Sequence, residues 1–277
     1  MLSVHVDLLL WIFIPLIGFL TLCIILLIVI LTIQKRRKKR EQENYDYFSK
    51  IIHDLKTPIY AIDGYTLLAS KSLNQLDKTE EYLNKISSIS RHMLALVKDV
   101  TDLSKIKDGK LDMNITIGNM DEIITQCLDN VEPQILRRKI YFEKHIKLIH
   151  NKVLVDDLHL IQILTNLLSN AIKYTEAEGK IFFTILEQPR NEETSTYIFS
   201  IKDTGYGMSE EFQKHLFEPF AQERALAHTD VESSGLGLFI VKKLIDKMHG
   251  TIEVESKPNE GSCFTIAINL DIVGSNK

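Results

Sequence analysis

Residues 8–33, LLLWIFIPLIGFLTLCIILLIVILTI, carry no charged side chain. As a helix these 26 residues extend about 39 Å, against an apolar bilayer core of about 30 Å. The segment predicts one transmembrane helix, spanning with some tilt. Pro15 and Gly18 within it are tolerated in membrane helices. A cleaved signal peptide would place basic residues ahead of a shorter apolar stretch of about 7 to 15 residues. Here no Lys or Arg precedes position 35, and Lys35, Arg36, Arg37, Lys38, Lys39 and Arg40 follow at once. The positive-inside rule then leaves residues 1–7 outside and the remainder in the cytoplasm. The expectation is a single-pass protein of the cytoplasmic (inner) membrane. Its outer stub is too short to fold as a sensor, which points to sensing within the bilayer or through a partner membrane protein.

The formal net charge is −4. Residues 35–40 hold six positive charges and Asp7 one negative, so residues 41–277 carry a net charge of about −9. An acidic body argues against general nucleic-acid binding, which needs a basic face. The basic linker, residues 34–44, suits anionic lipid head groups instead. Cys23, Cys127 and Cys263 lie far apart with no metal-binding spacing, so free thiols are expected.

Two apolar stripes follow. Tyr45, Phe48, Ile52, Leu55, Ile59 and Ile62 alternate spacings of three and four, as do Tyr82, Ile86, Ile89, Met93, Leu96, Val100 and Leu103. Two such helices with a short connection predict an antiparallel hairpin over residues 45–108. Pairing with a second copy, as a dimeric four-helix bundle, would cover the apolar surface a lone hairpin leaves wet. Pro58 removes one backbone hydrogen bond near His53. His53 itself falls one residue past Ile52, about 100° around the helix from the seam, and is expected to be exposed.

After KDGK, residues 107–110, helix and strand patterns mix. Helices are expected over 119–137, 156–174 and 236–248, and strands over 139–144, 180–186, 197–202, 251–255 and 263–269. That order predicts an α+β sandwich over residues 111–272, a mixed sheet with helices on one face.

Three stretches of this second domain carry chemistry. In the helix of 155–175, Ile161, Leu164, Leu168 and Ala171 form one face; Gln162, Asn166, Asn170 and Lys173 form the other. A merely solvated face would favour Glu and Lys, whereas Asn competes for the backbone and is a poor helix former. An amide oxygen at Asn166 or Asn170 can ligate Mg²⁺ without adding charge, and Lys173 can meet phosphate oxygens. In YIFSIKDTGYGM a strand ends in Asp203, followed by Gly205 and Gly207. A carboxylate there can accept from the exocyclic amine of adenine, where guanine would present a carbonyl. In SSGLGLFIVKKLI, Gly235 and Gly237 open an amphipathic helix whose bare amides and dipole favour phosphate. The polar stretch AQERALAHTDVESS, residues 221–234, reads as a mobile lid. Neither a Walker A motif nor a dinucleotide fingerprint occurs.

In this order the motifs resemble those of bacterial two-component sensor histidine kinases, over about residues 45–270. HDLKTP resembles the family's phosphoacceptor box, NLLSNAIKYT its N box, DTGYGM its G1 box, FEPF its F box and SSGLGL its G2 box; HGTIEVESKPNEGSCFTIAINL resembles the C-terminal hairpin. The resemblance implies a HisKA-type dimerisation domain and an ATP-binding domain of the type shared with gyrase and HSP90. It implies autophosphorylation of His53, assisted by Asp54, then transfer to an aspartate of a separate response regulator. Thr57 would position water for dephosphorylating that regulator. Asn170, with Asn166, would ligate Mg²⁺. Lys173, Tyr174, Asp203, Gly205, Gly207, Phe220, Gly235, Leu236, Gly237 and Leu238 would line the ATP site. Ser233 stands where the family often has glycine, which would stiffen the lid. Other readings are a different ATPase of the same nucleotide fold, a regulator-specific phosphatase and a non-catalytic membrane scaffold.

Overall fold

The computed structural model describes residues 32, 34, 35, 38, 47, 49–223 and 234–274, without the side chain of His92. Among these residues no helix is long and apolar enough to cross a membrane. The span expected over 8–33 lies outside them, Thr32 apart, as do most of the basic linker and most of residues 221–234. The chain divides into two compact units between Met93 and Leu94, inside a helix.

Among the described residues, two helices build the first unit. Helix α1 runs through residues 49–71 and α2 is Leu76–Lys107. The connection is tight: the Ser72 amide donates to Ala69 O at 3.0 Å and the Gln75 amide to Ser72 O at 2.7 Å. Thr79 Oγ1 also donates to Ser72 O, at 2.7 Å, tying the start of α2 to the turn. The helices fold back on each other where Tyr65 stacks on Tyr82 with ring centroids 6.0 Å apart. Lys85 lies 5.3 Å from the Tyr65 ring centre, a cation–π contact.

The inward stripe of α1 differs from the expected one. Ile51, Pro58 and Ala69 are buried, while Ile52 and Ile59 are 52% and 48% exposed. Leu55, Ile62 and Tyr65 complete the inward face. Pro58 is the reason for the shift: read only as a helix breaker, it in fact fills an inward apolar place. Ile52 and Ile59 form a second apolar face instead.

The second unit is a seven-stranded mixed sheet with helices packed against it. Its elements are β1 (Thr116–Asn119), α3 (Met120–Arg138), β2 (Tyr141–Lys147), β3 (Lys152–Val155), α4 (Asp157–Tyr174), β4 (Lys180–Pro189), β5 (Thr194–Asp203), the short α5 (Glu210–Gln213), α6 (Gly237–Lys247), β6 (Thr251–Lys257) and β7 (Gly261–Ile272). The strand order is β1-β3-β7-β5-β4-β2, with β6 on β7 beside β3. Among the described strands only β2 and β4 pair in parallel. The α+β reading holds; β1 and β3, four residues each, are additions that the periodicity did not reveal.

Alternation makes the sheet two-faced. Ile185 pairs with Phe199, Phe199 with Ile266 and Ile266 with Ile252, and the next rung is Phe183, Ile201 and Phe264. Against this face α4 buries Leu160, Ile163, Leu164, Leu167, Leu168, Ala171 and Ile172, a wider stripe than the expected one, with Ile161 only half-buried. Helix α6 adds Ile240, Val241, Leu244 and Ile245.

Both ends of α4 are fixed by side chains. Asp156 caps the start, accepting from the His159 amide at 3.0 Å, His159 Nδ1 at 2.7 Å and the Asn114 amide at 2.7 Å. Burial alone would push that carboxyl up, but these donors outweigh it and hold it below the ordinary range. At the other end Arg138 Nη1 donates to the carbonyls of Ile172, Lys173 and Thr175 at 2.8, 2.8 and 3.1 Å. A cation at a helix C-terminus also meets the negative end of the dipole. Cys127 and Cys263 are free; burial pushes the Cys127 thiol up to about 11, which makes it inert.

Leu164→Ala should cost about 2–5 kcal/mol of unfolding free energy. Leu158→Ala, at a position 77% exposed, should stay within about 0.5 kcal/mol of the unmodified chain. Urea denaturation followed by circular dichroism measures both.

Candidate nucleotide and phosphoacceptor sites

In an antiparallel pair the end of one strand meets the start of the next. Lys202, near the end of β5, pairs with Cys263, near the start of β7. Asp203 therefore reaches the Ser262 amide, which donates to its Oδ1 at 3.2 Å. The Gly205 amide donates to the same oxygen at 2.8 Å. Oδ2 takes part in neither bond. Asp203 is only 4% exposed. Burial pushes its carboxyl above the ordinary aspartate range, against the pull of the two amides.

Two glycines let the following turn come this close. A Cβ on Gly205 would overlap the carbonyl oxygen of Tyr174, at the end of α4. Gly207 adopts φ +64°, and a Cβ there would overlap the Lys257 carbonyl oxygen. The turn is then tied on both sides. The Tyr206 amide donates to Tyr174 O at 3.1 Å, and the Asn259 amide to Tyr206 O at 2.6 Å. Gln213 Nε2 adds bonds to Met208 O at 3.1 Å and Ser256 O at 3.0 Å. The G1 turn thus spans from the C-terminus of α4 to the β6–β7 hairpin.

The polar face of α4 looks toward the start of α6. A Cβ built on Gly237 would meet Asn166 Cγ at 4.0 Å, an ordinary van der Waals distance, so the two residues face each other. Asn166 Nδ2 is buried and has no hydrogen-bond partner among the described residues. A buried amide nitrogen left unbonded is costly and points to a ligand rich in acceptors. Asn170 and Lys173 follow on the same face, four and seven residues on, both half-buried. Lys173 Nζ lies 5.5 Å from the Tyr174 ring centre.

The other predicted residues close the far side. Phe220, 8% exposed and at φ +63°, donates its amide to Gly235 O at 2.8 Å. Gly235 is at φ +67°. Leu236 is buried and caps α6, and Leu238 is half-buried in the first turn. Of the expected lid, Glu223 accepts from Ser209 Oγ at 3.0 Å; residues 224–233, Ser233 included, lie outside the described residues.

One half of this site was not foreseen. Gly261 at φ +93° would, with a Cβ, overlap the Asp203 carbonyl oxygen, and Ser262 supplies a donor to the Asp203 side chain. The turn residues Pro258, Asn259, Glu260 and Gly261 signal a hairpin, but a contact across 59 residues leaves no local signature.

His53, Asp54 and Thr57 sit together on α1 in the first unit. The His53 side chain is 81% exposed and that of Asp54 25%, with His53 Nδ1 3.3 Å from Asp54 Oδ1. Thr57 Oγ1 turns back to His53 O at 3.5 Å. Pro58 lacks an amide N–H, so the carbonyl of Asp54 has no helical donor four residues on.

Comparison with known proteins bears on both units. Residues 44–109 match the His Kinase A (phospho-acceptor) domain. Residues 155–272 match the histidine kinase-, DNA gyrase B-, and HSP90-like ATPase. The autoinducer 2 sensor kinase/phosphatase LuxQ of Vibrio vulnificus (strain YJ016) is 33% identical over 229 residues, covering 82% of this chain and 26% of LuxQ. The signal transduction histidine-protein kinase BarA of Escherichia coli (strain K12) is 33% identical over 232 residues, 82% of this chain and 25% of BarA. The chain thus spans about a quarter of the length of these curated relatives. Among solved structures, the Acinetobacter baumannii histidine kinase AdeS superposes with TM-score 0.56 at 25% identity, covering 78% of this chain and 96% of that one. The histidine kinase ThkA in complex with the response regulator protein TrrA shares the fold, with TM-score 0.58 at 23% identity over 88% of this chain and 67% of that one. With a phospho-acceptor hairpin and a kinase-type ATPase domain in sequence, this chain belongs to the two-component sensor histidine kinases.

Proposed function

We propose that this chain uses ATP to phosphorylate His53 and passes the phosphoryl group to an aspartate of a separate response regulator. The observation that carries the reading is the imidazole of His53, 81% exposed, with Nδ1 beside Asp54. That contact selects the tautomer: Asp54 accepts from Nδ1–H, and the lone pair is left on Nε2. Nε2 attacks the γ-phosphorus in line. The Nε2–P bond forms as the bond from phosphorus to the ADP oxygen breaks. Asp54 stabilises the positive charge that develops on the ring and receives the Nδ1 proton, leaving a phosphoramidate whose ring is neutral and whose phosphoryl oxygens keep their negative charge. The later attack by a regulator carboxylate breaks that N–P bond and returns the proton to the ring.

The second unit supplies the nucleotide. Asp203 accepts from the adenine amine through Oδ2. Asn166 Nδ2, buried and unbonded, fits phosphate oxygens across from Gly237. Lys173 and the opening amides of α6 add positive character at the same end. The neutral side-chain amides of Asn170 and Asn166 fit Mg²⁺ through their oxygens, and the ion, when bound, offsets triphosphate charge. Tyr174, Phe220, Leu236 and Leu238 frame the cleft around Gly205, Gly207, Gly235 and Gly237.

The exposed apolar side chains Ile52, Ile59 and Leu83 of the hairpin support a second copy of the chain as partner, completing a four-helix bundle. Phosphatase action on the regulator has its own support, Thr57 one turn after His53. The apolar run of residues 8–33 and the basic residues behind it support anchoring in the inner membrane with the N-terminus outside, contact with anionic lipid, and a membrane partner as sensor.

Incubation with γ-labelled ATP should give acid-labile, base-stable label on the chain, and His53→Ala should reduce it to background. Label that persists in His53→Ala would overturn the assignment. Thr57→Ala should slow dephosphorylation of a phosphorylated regulator by about tenfold or more while autophosphorylation continues. Because Asp203 must be ionised to accept from adenine, and its pKa is raised, ATP affinity should fall with decreasing pH before the ordinary aspartate range is reached. Asp203→Asn should lose that acid limb, which calorimetric titration across pH would reveal.

A further inference from the structure

A helix leaves its last carbonyls without helical donors, and where they are buried each needs a donor from elsewhere. At the end of α4, Ile172 is 1% exposed and Thr175 is fully buried. Ala171 O accepts from the Thr175 amide at 3.1 Å and from Thr175 Oγ1 at 2.6 Å. Ile172 O, Lys173 O and Thr175 O accept from Arg138 Nη1. Tyr174 O, lying between them, accepts from the Tyr206 amide at 3.1 Å. The carbonyls on either side of Tyr174 are thus held by one side chain from the end of α3.

Arg138 grips this place twice. Its own carbonyl accepts from the Glu178 amide at 3.2 Å, two residues before β4 begins. The guanidinium fixes the carbonyls that enter the α4–β4 connection, and the backbone fixes an amide that leaves it. Its bonds to α4 run to main-chain carbonyls, so their effect is geometric. What they orient is the seat of the G1 turn. A Cβ on Gly205 would overlap Tyr174 O, and the Tyr206 amide donates to that same oxygen. Gly205 in turn donates to Asp203 Oδ1 at 2.8 Å. Each link from Arg138 to Asp203 lies within the second unit.

We propose that Arg138 is a positioning residue for base selection: by fixing the carbonyls on either side of Tyr174 it sets the G1 turn, and through that turn the carboxylate of Asp203 against the 6-amino group of adenine. This rests on the nucleotide reading of the cleft given above. A hydrogen bond tolerates only about 0.5 Å of displacement before it weakens. If the Tyr174 carbonyl tilts, Gly205 and Tyr206 move with it, and the carboxylate loses its register with the amine. The phosphate end of the cleft, at Asn166 and Gly237, is held by other contacts. Loss of Arg138 should therefore act on the base and not on the triphosphate.

Calorimetric titration of the full chain in detergent, with Mg²⁺, compares ATP with purine riboside triphosphate, which lacks the 6-amino group and carries no carbonyl in its place. The unmodified chain should prefer ATP by about tenfold, the order of one hydrogen bond to a charged group. Arg138→Met, which keeps an apolar stem, should reduce the preference to about threefold or less, with the affinity for the analogue almost unchanged. Arg138→Lys, whose ammonium offers three donors, should restore most of the preference. Arg137→Ala, at an exposed neighbouring arginine, should leave it as it was. In an Asp203→Asn background Arg138→Met should change the ratio little further, since both act at one place. An unchanged preference in folded Arg138→Met overturns the proposal, as does equal weakening of both nucleotides. Failure of Arg138→Met to fold while Arg138→Gln folds with full preference also overturns it, as does failure of both, which would make the guanidinium purely structural. If the unmodified chain binds both nucleotides equally, the role given to Asp203 fails; if it binds neither, the nucleotide reading itself fails.

Discussion

A carboxylate cannot be buried without donors, and Asp203 is almost wholly buried. Its Oδ1 is satisfied by two amides from different parts of the chain, Gly205 and Ser262. That single requirement draws three segments together. The end of β5 must lie beside the start of β7, the G1 turn must curl back under its own aspartate, and the C-terminus of α4 must come within contact of Gly205. Side chains would block each approach, so glycine stands at 205, 207 and 261. The same geometry leaves Oδ2 outside both bonds.

Helix α4 extends this logic along its length. Its apolar stripe is held on the sheet, its first turn is fixed by Asp156 and its last by Arg138. A helix clamped at both ends and along one face has little freedom to rotate. Gln162, Asn166, Asn170 and Lys173 are therefore presented in a set direction. The buried and unbonded nitrogen of Asn166 is the cost of that presentation, and an acceptor-rich ligand would offset it.

How much of this could be read beforehand follows from the range of each interaction. The α4 stripe, the end of β5 at Asp203 and the α6 helix after Gly237 are local, and periodicity or turn chemistry announces them. The strands β1 and β3 are four residues long, too short for alternation to register. Ser262 and Gly261 enter the site only through strand pairing, which no local pattern encodes. The displaced stripe of α1 has another cause. Ile51 and Ile52 are both apolar, as are Pro58 and Ile59, so two adjacent stripes satisfy the same spacing. Proline counted as an interruption hides the one that the fold turns inward.

That ambiguity is itself informative about the hairpin. A helix needing only one apolar face would gain little from isoleucine at 52 and 59, where half of each side chain meets water. Two faces one residue apart can serve two partners, the return helix of the same chain and, on the proposed reading, a second copy. His53 follows both Ile51 and Ile52 in sequence, so the helical rotation of about 100° per residue carries it off each face. Its exposure is then a consequence of where the apolar residues fall: the more firmly positions 51 and 52 are packed, the more firmly the imidazole is held out into solvent.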